Sequence, residues 1–226
     1  MHFMRKFYET TCAIGVVALM LVLSILYAWF RLSSELGNWE NPTTIITVET
    51  AKHVVTPSMA EASRGMVFRQ APAFTLKATD GAEYSLGELI RGGPLLLTFI
   101  KIGCPCSEAA QPFFNRLRAA YPHARILGVI DSDLGPANLW AEKLRVSYPL
   151  LLDPNLQLVR AYGVENSAYV VLVDQKGQIM MHWPGYSASM LQELGASLAR
   201  LTGSAVRPID TVDAPVEFYS GCPYDL

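Results

Sequence analysis

The chain has 226 residues, with 18 Lys and Arg against 20 Asp and Glu, a net charge of −2 and 51% hydrophobic residues. Near-neutral charge without a basic block gives nucleic acid no footing as a partner. The length suits one domain of ordinary size with appendages, and the apolar excess is concentrated near the N-terminus.

In chain order, the first feature is Cys12 to Phe30, an apolar run without charge. It approaches the ~20 residues that span a bilayer and exceeds the ~7–15-residue core of a signal peptide, and no small-x-small cleavage site follows it. Arg5 and Lys6 precede it, and Arg31, Glu35 and Glu40 follow. The positive-inside rule then places the N-terminus in the cytoplasm and the rest of the chain outside, in the periplasm. The expectation is an uncleaved, single-pass anchor in the inner (cytoplasmic) membrane, with Cys12 an ordinary membrane residue. Residues 33–67 read as a linker, broken at Asn41-Pro42 and Thr56-Pro57-Ser58, with Ile45 to Val48 as a short added strand.

The pattern then alternates strand and helix. Leu95 to Ile100 is continuously apolar, as in a central strand buried on both faces. A helix follows from about Pro105 to Arg118, with Ala110, Phe113, Phe114 and Leu117 at helical spacing towards the sheet. Arg125 to Ile130 reads as the next strand. Asp133 to Val146 contains a helix with Leu139, Trp140 and Leu144 on one side. Tyr169 to Val173 and Gln178 to His182 form a hairpin around Gln175-Lys176-Gly177. Ser187 to Leu201 is an amphipathic helix with Met190, Leu191, Leu194, Leu198 and Leu201 facing in. These elements imply an α/β core with a mixed sheet. In residues 203–226, Pro208, Pro215 and Pro223 forbid a long helix. This stretch is either a disordered tail or a segment that packs Phe218, Tyr219 and Tyr224 on the domain.

Cys104-Pro105-Cys106-Ser107 stands where the central strand ends and the helix begins. Unpaired N–H groups and the positive end of the macrodipole there favour a thiolate, the reactive form of cysteine. Of four cysteines, Cys12 lies in the apolar run and Cys222 near the end. No disulfide framework can therefore staple the domain, and Cys104 and Cys106 are free for chemistry.

The surrounding sequence resembles the thioredoxin superfamily, in particular its TlpA-like and AhpC/TSA (redoxin) branch. The resemblance is carried by Ala71-Pro72-Ala73-Phe74-Thr75-Leu76 with Asp80-Gly81 and Tyr84-Ser85-Leu86. It continues in Phe99 to Pro112, in Pro149 to Pro154 with Arg160 to Val164, and in Val170 to Gly177. It implies a thioredoxin-like fold over residues 68–202, behind residues 1–32 (N-terminus and transmembrane helix) and the linker, and ahead of the 203–226 extension. Cys104 falls on the family nucleophile. The departures are specific: the resolving position is Ser107, the second cysteine has moved inward to Cys106, the tryptophan that often precedes the first cysteine is Gly103, and the cis-proline position is Ala168. A trans peptide is expected at Ala168, because a non-proline cis bond costs several kcal/mol.

Residues two apart on a helix do not face each other, so a Cys104–Cys106 disulfide requires Cys104 to stay outside the helix. Three uses are open: the two cysteines cycle as a pair with Cys106 resolving; Cys104 acts alone; or both hold a soft metal such as Cu(I). Lys101 either turns to the thiolate or to solvent. Ser107 either caps the helix or bonds a Cys104 thiolate. His123 and His182 read as surface or loop histidines. The resemblance implies a thiol–disulfide oxidoreductase acting on protein thiols or disulfides, with Cys104 and Cys106 catalytic, Pro105, Ser107, Lys101 and Ala168 in support, and no cofactor or metal. A peroxidase comes second, since peroxiredoxins place Thr or Ser where Lys101 stands. A copper-handling protein or an inert thioredoxin-like module are further alternatives.

Overall fold

The computed structural model of the protein describes residue 20, residues 22–28 and residues 53–226. The chain divides into two compact units, Met1–Thr47 and Val48–Leu226. Met20 and residues 22–28 are helical. Most of the Cys12–Phe30 run and the proposed strand at Ile45 to Val48 lie outside the described residues. Among the described residues no helix is long and apolar enough to cross a membrane.

The second unit is built around β3 (Leu95–Ile100), six residues that are all buried. It pairs in parallel with β4 (Arg125–Ile130), which pairs in parallel with β5 (Leu150–Leu152). On its other side β3 runs antiparallel to β6 (Tyr169–Val173), and β6 to β7 (Ile179–Trp183). The sheet order is thus β5-β4-β3-β6-β7, with a separate antiparallel pair, β1 (Thr75–Lys77) and β2 (Glu83–Ser85). Successive side chains of a strand point to opposite faces. Leu96 and Ile100 therefore join one core layer, with Phe113, Phe114 and Leu117 of α3 (Pro105–Ala120), Trp140 of α4 (Leu134–Lys143), and Met190, Leu191, Leu194 and Leu198 of α6 (Ala188–Thr202). Leu95, Leu97 and Phe99 join the other, with Leu86 and Leu89 of α2 (Leu86–Arg91) and Leu158 and Val159 of α5 (Gln157–Ala161). This is the mixed α/β sheet that the sequence pattern implies.

Several local readings are corrected. The stretch read as linker contains a helix, α1 (Pro57–Arg64): the Thr56 side chain accepts the Met59 N–H as N-cap, and Pro57 supplies a preset φ at the first position. Leu139 is exposed, whereas Trp140 faces the core as expected, with Ala137 beside it. His182 is no surface histidine. It is buried on β7, where Nδ1 meets the Tyr169 hydroxyl at 3.0 Å and Nε2 meets the Tyr162 carbonyl at 2.9 Å. Burial drives its pKa down to about 4, so the ring is neutral, with Nε2 as donor. The Ser63 hydroxyl of α1 donates to the His182 carbonyl, which ties α1 to the sheet.

Asp153, in the turn after β5, is buried, and its carboxylate accepts the backbone N–H groups of Gln157, Leu158 and Val159 at 2.8, 2.9 and 3.0 Å. Leu156, at the N-cap of α5, supplies no side-chain cap. Asp153→Ala orphans those three donors and is expected to cost about 3 kcal/mol in urea unfolding. A loss below about 1 kcal/mol would show that water replaces the carboxylate.

Candidate active site

Cys104 is the N-cap residue of α3. With φ −88° and ψ 115° it lies outside the helix proper, and Pro105 holds the first helical position. Its carbonyl accepts the Glu108 N–H at 3.2 Å. The preceding Gly103 has φ +75°, in the left-handed region where a tryptophan would be strained. The sulfur is buried, with the residue only 1% exposed. Two donors point at it: the Ser167 hydroxyl at 3.2 Å and the Cys222 backbone N–H at 3.1 Å.

These contacts favour the thiolate. The Cys106 thiol does most to pull the Cys104 pKa down, against the opposing effect of burial. The Cys222 thiol, Ser167 and the Cys222 N–H add to it, and the value falls from 9.0 to about 3. The neighbours move the other way: Cys106 rises because its proton bonds the Cys104 sulfur, and Cys222 rises chiefly through burial. One thiolate is thus held between two thiols. Cys106 is half-buried, and its Sγ lies 3.9 Å from His53 Nδ1. Cys104, Cys106 and Cys222 are each free.

The supporting residues take other roles than those expected of them. Ser107 neither caps α3 nor touches Cys104; it is buried, and its Oγ accepts the Lys101 N–H at 3.3 Å, fixing the turn between β3 and α3. Lys101 turns neither to Cys104 nor to open solvent. Its Nζ meets the Pro223 carbonyl at 2.7 Å and the Asp225 carboxylate at 3.1 Å. Ala168, with a trans peptide, is buried and left-handed at φ +54°. Behind the site, the half-buried Asp131 accepts the Ile102 N–H at 2.8 Å.

Of the two readings of residues 203–226, packing prevails. Tyr219 bridges to both Val54 and Tyr186. The Ser167 N–H donates to the Cys222 carbonyl at 2.9 Å, and the Gly221 N–H returns to the Ser167 carbonyl at 2.9 Å. Tyr224 sits in the core layer of Phe99 and Tyr169. A side chain at Gly221 would overlap the Ser167 side chain and carbonyl, so glycine permits this approach. Sequence reasoning therefore missed Cys222, Ser167 and His53. Gly221-Cys222-Pro223 amid aromatic residues was the available signal for the first; Ser167 and His53 had none.

The AhpC/TSA family profile matches residues 67–182, and the chain belongs to that family. It is 25% identical over 138 residues to the thiol-disulfide oxidoreductase ResA of Halalkalibacterium halodurans, spanning 59% of this chain and 78% of that one. A ResA from Geobacillus thermodenitrificans is 27% identical over 113 residues, 48% of this chain and 64% of the relative, less than two thirds of its length. A crystal structure assigned as the thiol:disulfide interchange protein DsbE of Chlorobium tepidum superposes with a TM-score of 0.55 at 21% identity, over 60% of this chain and 96% of that one, which shows a shared thioredoxin-like fold.

Proposed function

We propose that the protein is a thiol–disulfide oxidoreductase in which Cys104 is the nucleophile. The observation that carries this is the Cys104 sulfur itself, placed at the start of α3 where the Cys106 thiol, the Ser167 hydroxyl and the Cys222 N–H favour its charged form. A thiolate is what attacks a disulfide. The relationship to proteins named thiol-disulfide oxidoreductase supports the same chemistry. Two thiols stand beside Cys104 to complete the cycle, Cys106 and Cys222. Protein thiols or disulfides are the substrates, and Arg5, Lys6 and the Cys12–Phe30 run support an inner-membrane anchor with the domain in the periplasm.

Peroxidase chemistry is less well supported, because Lys101 replaces the hydroxyl that would bond the peroxide and its ammonium is engaged by Pro223 and Asp225. The full chain in detergent, with a dithiol reductant, is expected to reduce insulin disulfides, and Cys104 is expected to be the residue trapped in mixed disulfides. Rapid, saturating oxidation of Cys104 to sulfenic acid by hydrogen peroxide, without disulfide exchange, would replace this reading with the peroxidase one. A periplasm-dependent reporter fused at the C-terminus should be active; a soluble chain with a new N-terminus near residue 33 would remove the anchor.

A further inference from the structure

The extension does more than cover the domain. Residues 218–220 lie between two backbone edges: the Val55 N–H donates to the Phe218 carbonyl at 2.9 Å, and Tyr186 and Tyr219 exchange N–H···O bonds at 2.8 and 2.9 Å. Beyond Gly221 the chain runs antiparallel to residues 165–167, with the Tyr224 N–H on the Glu165 carbonyl at 2.9 Å. This is an extended segment held by isolated main-chain bridges, much as a peptide binds along a backbone edge. It ends on the nucleophile, since the residue whose N–H touches the Cys104 sulfur is a cysteine.

We propose that the 218–225 segment is a built-in peptide that covers Cys104, and that Cys222 on it is the resolving thiol of the catalytic cycle. The proposal rests on the oxidoreductase reading above. The Cys104 thiolate attacks one sulfur of a protein disulfide; that bond breaks, a mixed disulfide forms on Cys104, and one substrate sulfur leaves as a thiolate. Cys222 loses its proton and attacks Cys104 Sγ. The mixed disulfide breaks, the second substrate sulfur leaves, and the proton from Cys222 ends on a substrate sulfur. Two electrons pass from the Cys104/Cys222 dithiol to the substrate disulfide, and a dithiol reductant restores the pair.

Two thiols stand beside the Cys104 sulfur, and the docked segment singles out Cys222. Cys106 is fixed in the first turn of α3, its thiol hydrogen-bonded to the Cys104 sulfur. Cys222 arrives from a separate segment of chain, with its main chain already in contact with the sulfur to be attacked. Burial does most to raise the Cys222 pKa and the Cys104 thiolate adds to it; once Cys104 is in a mixed disulfide that added contribution is gone, and Cys222 ionises more readily. The seam is also built to open. A protein disulfide reaches the buried sulfur only when the segment lifts. The Asn166 Oδ1, Ser220 Oγ and Tyr224 hydroxyl are buried there without hydrogen-bond partners, which weakens docking. The Lys101–Asp225 pair is exposed at the Asp225 side and holds weakly.

The test uses the full chain in detergent, reduced, mixed with oxidised glutathione, then quenched and mapped by mass spectrometry over time. The wild type and Cys106→Ser are expected to end with a Cys104–Cys222 disulfide. In Cys222→Ala the glutathione adduct on Cys104 is expected to persist at least about tenfold longer. Gly221→Val keeps every thiol but displaces the segment; it is expected to slow Cys104–Cys222 closure about tenfold and to speed Cys104 alkylation by iodoacetamide. A Cys104–Cys106 bond in the wild type, with unchanged resolution in Cys222→Ala, would overturn the proposal and leave the oxidoreductase reading standing. An absence of glutathione on Cys104 in every variant would overturn both. Unchanged closure and alkylation in Gly221→Val would overturn the role of the docked segment.

Discussion

Cys104→Ser is expected to abolish reduction of protein disulfides, by at least about a thousandfold, because a serine hydroxyl is no nucleophile towards sulfur near neutral pH. The same substitution is expected to change how stability depends on pH. The Cys104 pKa falls from 9.0 in the unfolded chain to about 3 in the folded one. Between those values the unfolded state binds a proton that the folded state lacks, so stability rises with pH. The contribution is complete above about pH 9 and is lost as pH falls towards about 3. Cys106 and Cys222 are shifted upward, so they act with opposite sign, and only above about pH 9. Burial raises the carboxyls of half-buried Asp131 and buried Asp153, but the wild type and the variant share both, so over roughly pH 6 to 8.5 their difference reports chiefly Cys104. In urea unfolding over that window the wild type should gain up to about 1.4 kcal/mol per pH unit relative to Cys104→Ser. Parallel pH profiles would mean that Cys104 is a thiol in the folded protein, and the proposed chemistry would lose its basis.

How far the sequence disclosed this site depends on the range of the interactions. Leu95 to Ile100 and the Ala110, Phe113, Phe114, Leu117 stripe are local patterns, and they form as β3 and the buried face of α3. Cys104 was legible for the same reason: a strand end, a proline and a helix start are neighbours in sequence. What stayed hidden joins residues far apart. Ser167 and Cys222 meet Cys104 across 63 and 118 residues of chain, with no periodicity to announce them. Ser107 and Lys101 were visible as neighbours of the cysteine, yet both choices offered for each were wrong. The turn before α3 and the returning extension supply better partners than the thiolate does. Leu139 fails differently. Helical spacing gives a stripe but not its edge, and the short α4 turns Ala137 inward beside the expected Trp140 and leaves Leu139 out.

Ala168→Pro restores the proline that this position carries across much of the resembling family, yet it is expected to damage this protein. Ala168 has φ +54°, whereas proline fixes φ near −65°. The backbone just before β6 would have to turn by more than about 100°. Proline also holds the residue before it, Ser167, in extended conformations. That residue carries the seam: its N–H and carbonyl pair with Cys222 and Gly221, and its hydroxyl meets the Cys104 sulfur. The expected result is a stability loss of about 3 kcal/mol and Cys104 alkylation at least about tenfold faster, as the 218–225 segment leaves its edge. Ala168→Gly is the control. Glycine takes the left-handed conformation without the cost of about 1–2 kcal/mol that an L side chain bears there. It is expected to keep the slow alkylation of the wild type and to stay within about 1 kcal/mol of its stability. If Ala168→Pro also keeps both, the left-handed turn at Ala168 is not what holds residues 165–167 against the C-terminal segment. The docking must then rest on Tyr224 in the core and on the Tyr186–Tyr219 pairing.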